Sequence, residues 1–390
     1  MNKRLYFLDW LRICAFFLLV LYHTGMYYVT WDWHVKTANP SDALEPLMLL
    51  SSPWRMALLF LVGGAAAAFL LEKLGGKGLA KERSKRLLLP LLFGMLFIVP
   101  PQPYLEAVEQ VAYQGSYFDF MQLYVRAYDG FCDKDGCLDL PTWNHLWFLP
   151  YLWVYTLLLA AAGGRRVQAA GSWLLRHAHG WKLLAVPVAV LAIGRIALLS
   201  HWPHTHDLFN DWHGHSMYLP MFVLGAVMAR QPGFWQRLDE ARFAALGLFL
   251  GGWAVLVCYY SLPEPMQAWL ETQRALYALC QWCGIVAVTG FAHRHLDFDS
   301  PKRQYLTQAV FPLYILHQTL IVVMAHSLKP AGIAPVTEGV LLVVLTLTIS
   351  LGAFEVIRRV PLLQPLFGVG KAARPQAAAG ESTAGPCVSA

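Results

Sequence analysis

Long apolar runs, divided by short polar stretches rich in Lys, Arg, Gly and Pro, constrain this chain more than any other feature. A helix needs about 20 apolar residues to cross a hydrocarbon core roughly 30 Å thick. Ten candidate spans lie near 7–29, 48–71, 87–106, 145–162, 183–200, 217–230, 243–262, 274–292, 305–327 and 338–357. The third carries Pro90, Pro100, Pro101 and Pro103, and the sixth is short and contains Pro220. Only 14% of the 390 residues are charged and 57% are hydrophobic. Soluble domains carry about 25% charged residues, so this chain has too little charge to clothe a water-facing surface. The pattern predicts an all-α, polytopic membrane helix bundle of about ten transmembrane helices over residues 1–367. The remainder, 368–390, is rich in Ala, Gly, Pro and Ser and is expected to be a disordered cytoplasmic tail. Asp9 and Arg12 interrupt the first run and no small-residue cleavage motif follows it, so the first run is expected to be a retained span rather than a signal peptide.

The net charge of +6 matters through its distribution, because basic loops stay on the cytoplasmic side. With the N-terminus inside, 22 Lys and Arg fall on inside segments and five fall outside. Arg12, Arg55 and Arg195 sit within spans. That split predicts an even number of spans with both termini cytoplasmic. The outside surface is then aromatic and histidine-rich. It includes Trp31 and Trp33, the long stretch 101–144, and His201, His204, His206, His213 and His215. The long stretch reads as a lid, an acceptor platform or an irregular cap.

Ionisable residues within spans are costly, roughly 2.5–3.5 kcal/mol at mid-bilayer, and usually face a bundle interior. Span one holds Asp9, Arg12 and His23. At 100° per residue Arg12 and His23 lie about 20° apart, with Asp9 about 60° from Arg12, so all three share a face. The rise from Arg12 to His23 is about 16 Å, half the hydrocarbon thickness. An outer layer of His23, Arg55 and His145, with His317 below it, lies above an inner layer of Asp9, Arg12 and Glu355. Polar groups at two depths suggest a path entered from both sides. The competing reading is a snorkelling Asp–Arg pair and a satisfied interfacial histidine.

The segment 72–86 is the most basic of the chain and includes Arg83-Ser84-Lys85-Arg86. Arginine forks suit phosphates, but from composition alone ordinary positive-inside retention, with lipid headgroup binding beside it, is the favoured reading of such a cluster. The five histidines of 201–216 lack a recognisable metal-ligand spacing, and no metal is expected there. Cys132 and Cys137, with four residues between them, suit a local disulfide in an oxidising compartment. Cys280 and Cys283 form a C-x-x-C inside an apolar span and read as packing residues. No Gly-rich nucleotide loop and no Gly-x-Ser-x-Gly elbow occurs, and no nucleic-acid partner is expected.

The ordered motifs resemble the acyltransferase-3 family of membrane acyltransferases. Its marks are the Arg12 to His23 spacing in the first span, and Arg55-Met56 followed by Leu59-Phe60-Leu61-Val62-Gly63-Gly64. To these add Arg83 to Arg86, His145 to Leu149, Phe222 to Gly225, and Leu313 to His317. Gly63 stands where the family usually has Ser, so that position is given no role. Further stretches resemble the branch that succinylates osmoregulated periplasmic glucans. These are Tyr6 to Asp9, Trp33 to Val35, Met217 to Ala226, and Glu355 to Leu363. The resemblance runs from about residue 5 to 367.

It implies a cytoplasmic acyl-CoA donor, expected to be succinyl-CoA, and an extracytoplasmic glucan acceptor. No bound cofactor is implied, and the surrounding partners are membrane lipids of a bacterial inner membrane. Acyl transfer to a hydroxyl needs a base, stabilisation of an oxyanion and a place where both substrates meet. His23 is the expected base, with His317 and Glu355 assisting. Arg12, Arg83 and Arg86 are expected to hold the donor, with Asp9 and Glu355 orienting these cations. Arg55, His145 and Trp147 are expected to bind acceptor or acyl group. An acetyl donor or another envelope glycan, and a secondary transporter using the same charges as a relay, are the alternatives.

Overall fold

A computed structural model describes residues 4–133, 136–262 and 267–370. The described residues are helical, with no strand beyond an isolated bridge between Cys132 and Cys137. Thirteen α-helices follow one another among them: α1 (Tyr6–Tyr28), α2 (Glu45–Ser51), α3 (Arg55–Phe93), α4 (Pro101–Gln110), α5 (Tyr117–Val125), α6 (Phe148–Ala162), α7 (Gly164–His177), α8 (Lys182–Leu198), α9 (Trp212–Met228), α10 (Pro232–Tyr260), α11 (Leu270–His295), α12 (Pro301–Leu328) and α13 (Pro335–Ile357).

Seven helical stretches are long and apolar enough to cross a membrane, or eight if α7 and α8, bent by 115° at their junction, make one span. The ten expected runs fall mainly in helix, but not as ten separate rods. Runs two and three belong to one stretch, 42–98, of 57 residues. No loop separates them. The basic segment 72–86 is itself helical, broken only at Gly75, whose φ of 68° is the left-handed conformation that glycine adopts freely. The sixth run falls mainly in α9, whose 17 residues stop just short of a full crossing.

Faces turned away from the bundle are apolar. On α13 Val336, Val340 and Val344 form an exposed stripe at four-residue spacing, and on α8 Val186, Val190 and Ile193 are exposed. Such stripes would be unfavourable in water and suit hydrocarbon.

Close packing sets the frame of the bundle. Where α3 crosses α9, a Cβ on Gly64 would lie 1.9 Å from the Phe222 carbonyl oxygen, and one on Gly225 would lie 1.9 Å from that of Leu61. The two glycines let the backbones touch, the usual device where lipid supplies no hydrophobic drive between helices. Helix α1 runs among α3, α11, α12 and α13.

The stretch expected to be a 40-residue connection holds α4, α5 and a disulfide between Cys132 and Cys137. It has its own small core of Ala107, Phe120, Tyr124, Phe131 and Leu140. A capping box between Ser116 and Asp119 starts α5. Cys280 and Cys283 are buried free thiols in the packing of α11.

Order continues past the expected boundary at 367. Gly368, Val369 and Gly370 line a cavity, and a Cβ on Gly368 would lie 2.4 Å from the Phe311 ring. The rest of the expected tail, 371–390, lies outside the described residues.

Gly64→Ala and Gly225→Ala should each destabilise the protein by about 1–3 kcal/mol, the usual cost of overpacking. Thermal melts of the two single variants and the double variant check this. Because the glycines serve one crossing, the double variant should lose less than the sum of the singles.

Candidate active site

Two chambers lie end to end beside α1. The first, about 520 Å³, is lined by Asp9, Arg12, Gly63, Lys73, Arg83 and Arg86, among others. The second, about 430 Å³, is lined by His23, Arg55, His145, Trp147, His204 and His206, among others. Leu19 and Tyr314 line both and form the wall between them. Arg12 and His23 therefore do share a face of α1, and each opens into a different chamber.

Charge fills the first chamber unevenly. Arg4, Arg12, Lys73, Arg83 and Arg86 line it, and Asp9 is its sole carboxylate. Among the described residues Arg83 and Arg86 form no ion pair. The Nε atoms of Arg12 and Arg83 are buried without a partner. A cluster of five cations around one carboxylate attracts anions, and arginine forks fit phosphate oxygens.

Asp9 was expected to orient Arg12, Arg83 and Arg86. Instead it bonds chiefly to Arg303 and to Arg4, the latter at 3.0 Å, while Arg12 stands 3.9 Å away. Arg12 is held by the Thr307 carbonyl at 3.2 Å. Arg303 went unnoticed in the sequence because it reads there as one more basic residue at a span end. Ser300 caps α12 by accepting from the Arg303 N–H, and Pro301 opens the first turn. That turn places the Arg303 side chain, only 1% exposed, between Asp9 and Asp299.

Glu355 needs correction as a member of the site. It accepts from Tyr305 at 2.9 Å and pairs with Arg358 and Arg359 at 2.6 and 3.0 Å. It lines neither chamber. Being three and four residues before those arginines on the end of α13, it is consumed by local ion pairs.

Hydrogen-bond chemistry in the second chamber fixes the roles of its histidines. The Tyr314 carbonyl can only accept, so His317 donates to it from Nδ1 over 2.6 Å. Neutral His317 then accepts at Nε2, 3.0 Å from His23 Nδ1, which must carry the proton. The two rings lie nearly parallel, 10° apart in plane. His23 is left with a lone pair on Nε2 and no protein partner there among the described residues. His317 is fully buried and both its nitrogens are used. It is a buttress that sets the tautomer of His23.

His145, expected to bind acceptor or acyl group, has both ring nitrogens engaged within the protein. Its Nε2 donates to the Ile315 carbonyl at 3.0 Å and its Nδ1 accepts from Gln102 at 3.2 Å. Gln102 is fully buried and also donates to Thr319 at 2.6 Å. Its carbonyl accepts from Asn144 at 3.2 Å and Gln318 at 3.0 Å. This network ties α4 to α12 and leaves His145 a structural part of the wall.

His34, within the Trp33 to Val35 stretch but given no role there, is a wall residue. Its Nδ1 lies 2.5 Å from a Glu106 carboxylate oxygen, and Gln318 donates to its Nε2 at 3.1 Å. Lys36 positions this segment by donating to the Met26 and Val29 carbonyls, each at 2.7 Å, at the end of α1. His204 and His206, expected to belong to a merely histidine-rich connection, also line the chamber. The His206 ring centroid is 4.3 Å from that of Trp147. Burial, with His204 alongside, pushes His206 well below the ordinary histidine range. The second chamber thus offers imidazole nitrogens, His23 Nε2 among them, together with aromatic faces and a single guanidinium.

A family model described as an acyltransferase domain matches residues 5–355 of this chain. The chain belongs to the acyltransferase-3 family. It is a multi-pass membrane acyltransferase. It is also similar to curated proteins named glucans biosynthesis protein C from Salmonella paratyphi B, Salmonella enteritidis and Salmonella choleraesuis. Each is 26% identical over 380 residues, covering 93% of this chain and 94% of the relative. No solved structure matches it. Gly63, where the family usually has Ser, lines the first chamber, so a serine there would present a hydroxyl to it.

The buried Arg303 gives a direct test of how the first chamber is built. Arg303→Met leaves Asp9 and Asp299 without their shared cation, and should lower the melting temperature in detergent by several degrees. Asp9→Asn, which keeps a hydrogen-bonding group of the same shape, should lower it less.

Proposed function

We propose that the protein transfers an acyl group, expected to be succinyl, from cytoplasmic acyl-CoA to a hydroxyl of a periplasmic glucan. The single observation that carries this reading is the pair of abutting chambers, one cationic and one presenting a free imidazole nitrogen. In this reading the chain sits in a bacterial inner membrane with ten crossings, the stretch 42–98 passing twice, and both termini cytoplasmic. The 22-to-5 division of basic residues and the family's membership support it.

Arg12, Arg83 and Arg86 would hold the phosphates of the donor in the first chamber. The uncharged pantetheine arm would extend past Leu19 and Tyr314, bringing the thioester to the second chamber. An acceptor sugar ring would stack against Trp147. His23 Nε2 takes the hydroxyl proton as the oxygen attacks the thioester carbon. The new C–O bond forms, the C–S bond breaks, and the departing thiolate takes the proton back from the imidazolium. While charged, His23 donates from Nδ1 to His317, which passes the polarisation to the Tyr314 carbonyl. This direct transfer needs no acyl-enzyme. The glucan assignment rests on the names of the similar Salmonella proteins, and an acetyl donor or another envelope glycan uses the same machinery.

Purified His23→Ala should lose acyl transfer from acyl-CoA to glucan by about 10²–10⁴-fold, the usual contribution of a positioned base, with its melting temperature retained. Near-wild-type turnover would sink the base assignment. Arg83→Ala combined with Arg86→Ala should raise the KM for acyl-CoA at least tenfold and weaken its dependence on salt, with a smaller change in kcat. Unchanged affinity would return that cluster to a role in topology or lipid contact.

A further inference from the structure

The second chamber has a charge that the transfer chemistry does not use. Arg55, in the first turn of α3, is 5% exposed and lines the chamber. It donates from one terminal nitrogen to the Ser51 hydroxyl at 3.1 Å, and its Nε is buried without a partner. Its guanidinium carbon lies 3.5 Å over the Tyr22 ring, so one face is taken and the N–H edge is left for an acceptor in the plane. No Asp or Glu lines this chamber, and among the described residues Arg55 forms no ion pair. Other buried arginines are matched: Arg303 with Asp9 and Asp299, and Arg274 with Glu271. A guanidinium held out of water with no counter-charge is costly, and that cost is offset when an anion joins it.

The donor phosphates have their own cations in the first chamber, and a neutral sugar brings no charge. The remaining anion is one carried by the transferred group itself. We propose that Arg55 is the receptor for a carboxylate at the far end of the acyl chain, and so sets selectivity for dicarboxylic over neutral acyl groups. This rests on the donor and acceptor assignment made above. The planar fork binds a carboxylate through two parallel N–H bonds, with Tyr22 holding it in register. His23 follows Tyr22 directly on α1, so the anchored acyl arm has its carbonyl end beside the base.

The test compares succinyl-CoA with acetyl-CoA in full-length protein, wild type against Arg55→Met and Arg55→Lys. Wild type should favour succinyl-CoA in kcat/KM. Arg55→Met should reduce the succinyl-to-acetyl ratio by about 10- to 100-fold, and Arg55→Lys should recover part of it because a charge remains without the fork. An equal loss with both donors would overturn the proposal, marking Arg55 as an oxyanion donor or a packing residue, as would an unchanged ratio. If wild type transfers neither acyl group, the donor reading fails by itself. The receptor is then tested with succinate alone, which should raise the melting temperature of wild type and not of Arg55→Met. Equal shifts, or none, would overturn it.

Discussion

A polar side chain inside hydrocarbon has no water to turn to, so each must find its partner in the protein or in a substrate. That constraint organises this bundle. It explains why the Tyr314 carbonyl matters as much as any side chain. By accepting from His317 it forces a proton onto His23 Nδ1 and a lone pair onto Nε2. The same accounting closes both nitrogens of His145 through Ile315 and Gln102, although His145 stands in the same wall. Two histidines of one chamber therefore differ in role through the backbone groups that face them.

Polar groups left over by this accounting are informative where they line the two chambers. Around the first chamber the surplus is cationic and spread over several elements, α1, α3 and the segment before α1. Around the second it is one guanidinium and imidazole nitrogens that include His23 Nε2. A bundle folded solely for stability would gain by pairing or removing such groups, since an unpaired buried charge is strongly destabilising. Their retention fits a site whose missing partners arrive with the substrates.

Much of this was legible in the sequence. Apolar runs gave the helices, and helical geometry placed Arg12 and His23 on one face about 16 Å apart. What was illegible depends on contacts between distant segments. Arg303 and Asp9 are 294 residues apart, and nothing local marks their pairing. His34 and Glu106 likewise meet only because Lys36 turns the chain back at the end of α1 and α4 packs near it. Glu355 failed in the opposite sense. It lies at a plausible depth, but Arg358 and Arg359 reach it at three- and four-residue spacing, and short-range pairing on one helix wins. The basic segment 72–86 shows a third kind of miss. Its charges implied a loop, yet Lys, Arg, Glu, Ala and Leu are good helix formers, and only Gly75 breaks the rod.

The wall between the chambers ties these threads together. Leu19 and Tyr314 belong to both chambers, and Phe16 packs edge-on against His317 from the first chamber's side. An apolar wall of that kind opposes the passage of ions and water while offering a slender uncharged chain a favourable surface. Charged groups at either end of a long substrate would then stay on their own sides, held by the arginines of the two chambers. On the proposed reading, reaction would fall at that boundary. The neutral middle of such a molecule would lie beside Tyr314, and His23, with its free Nε2, stands one helical turn beyond Leu19.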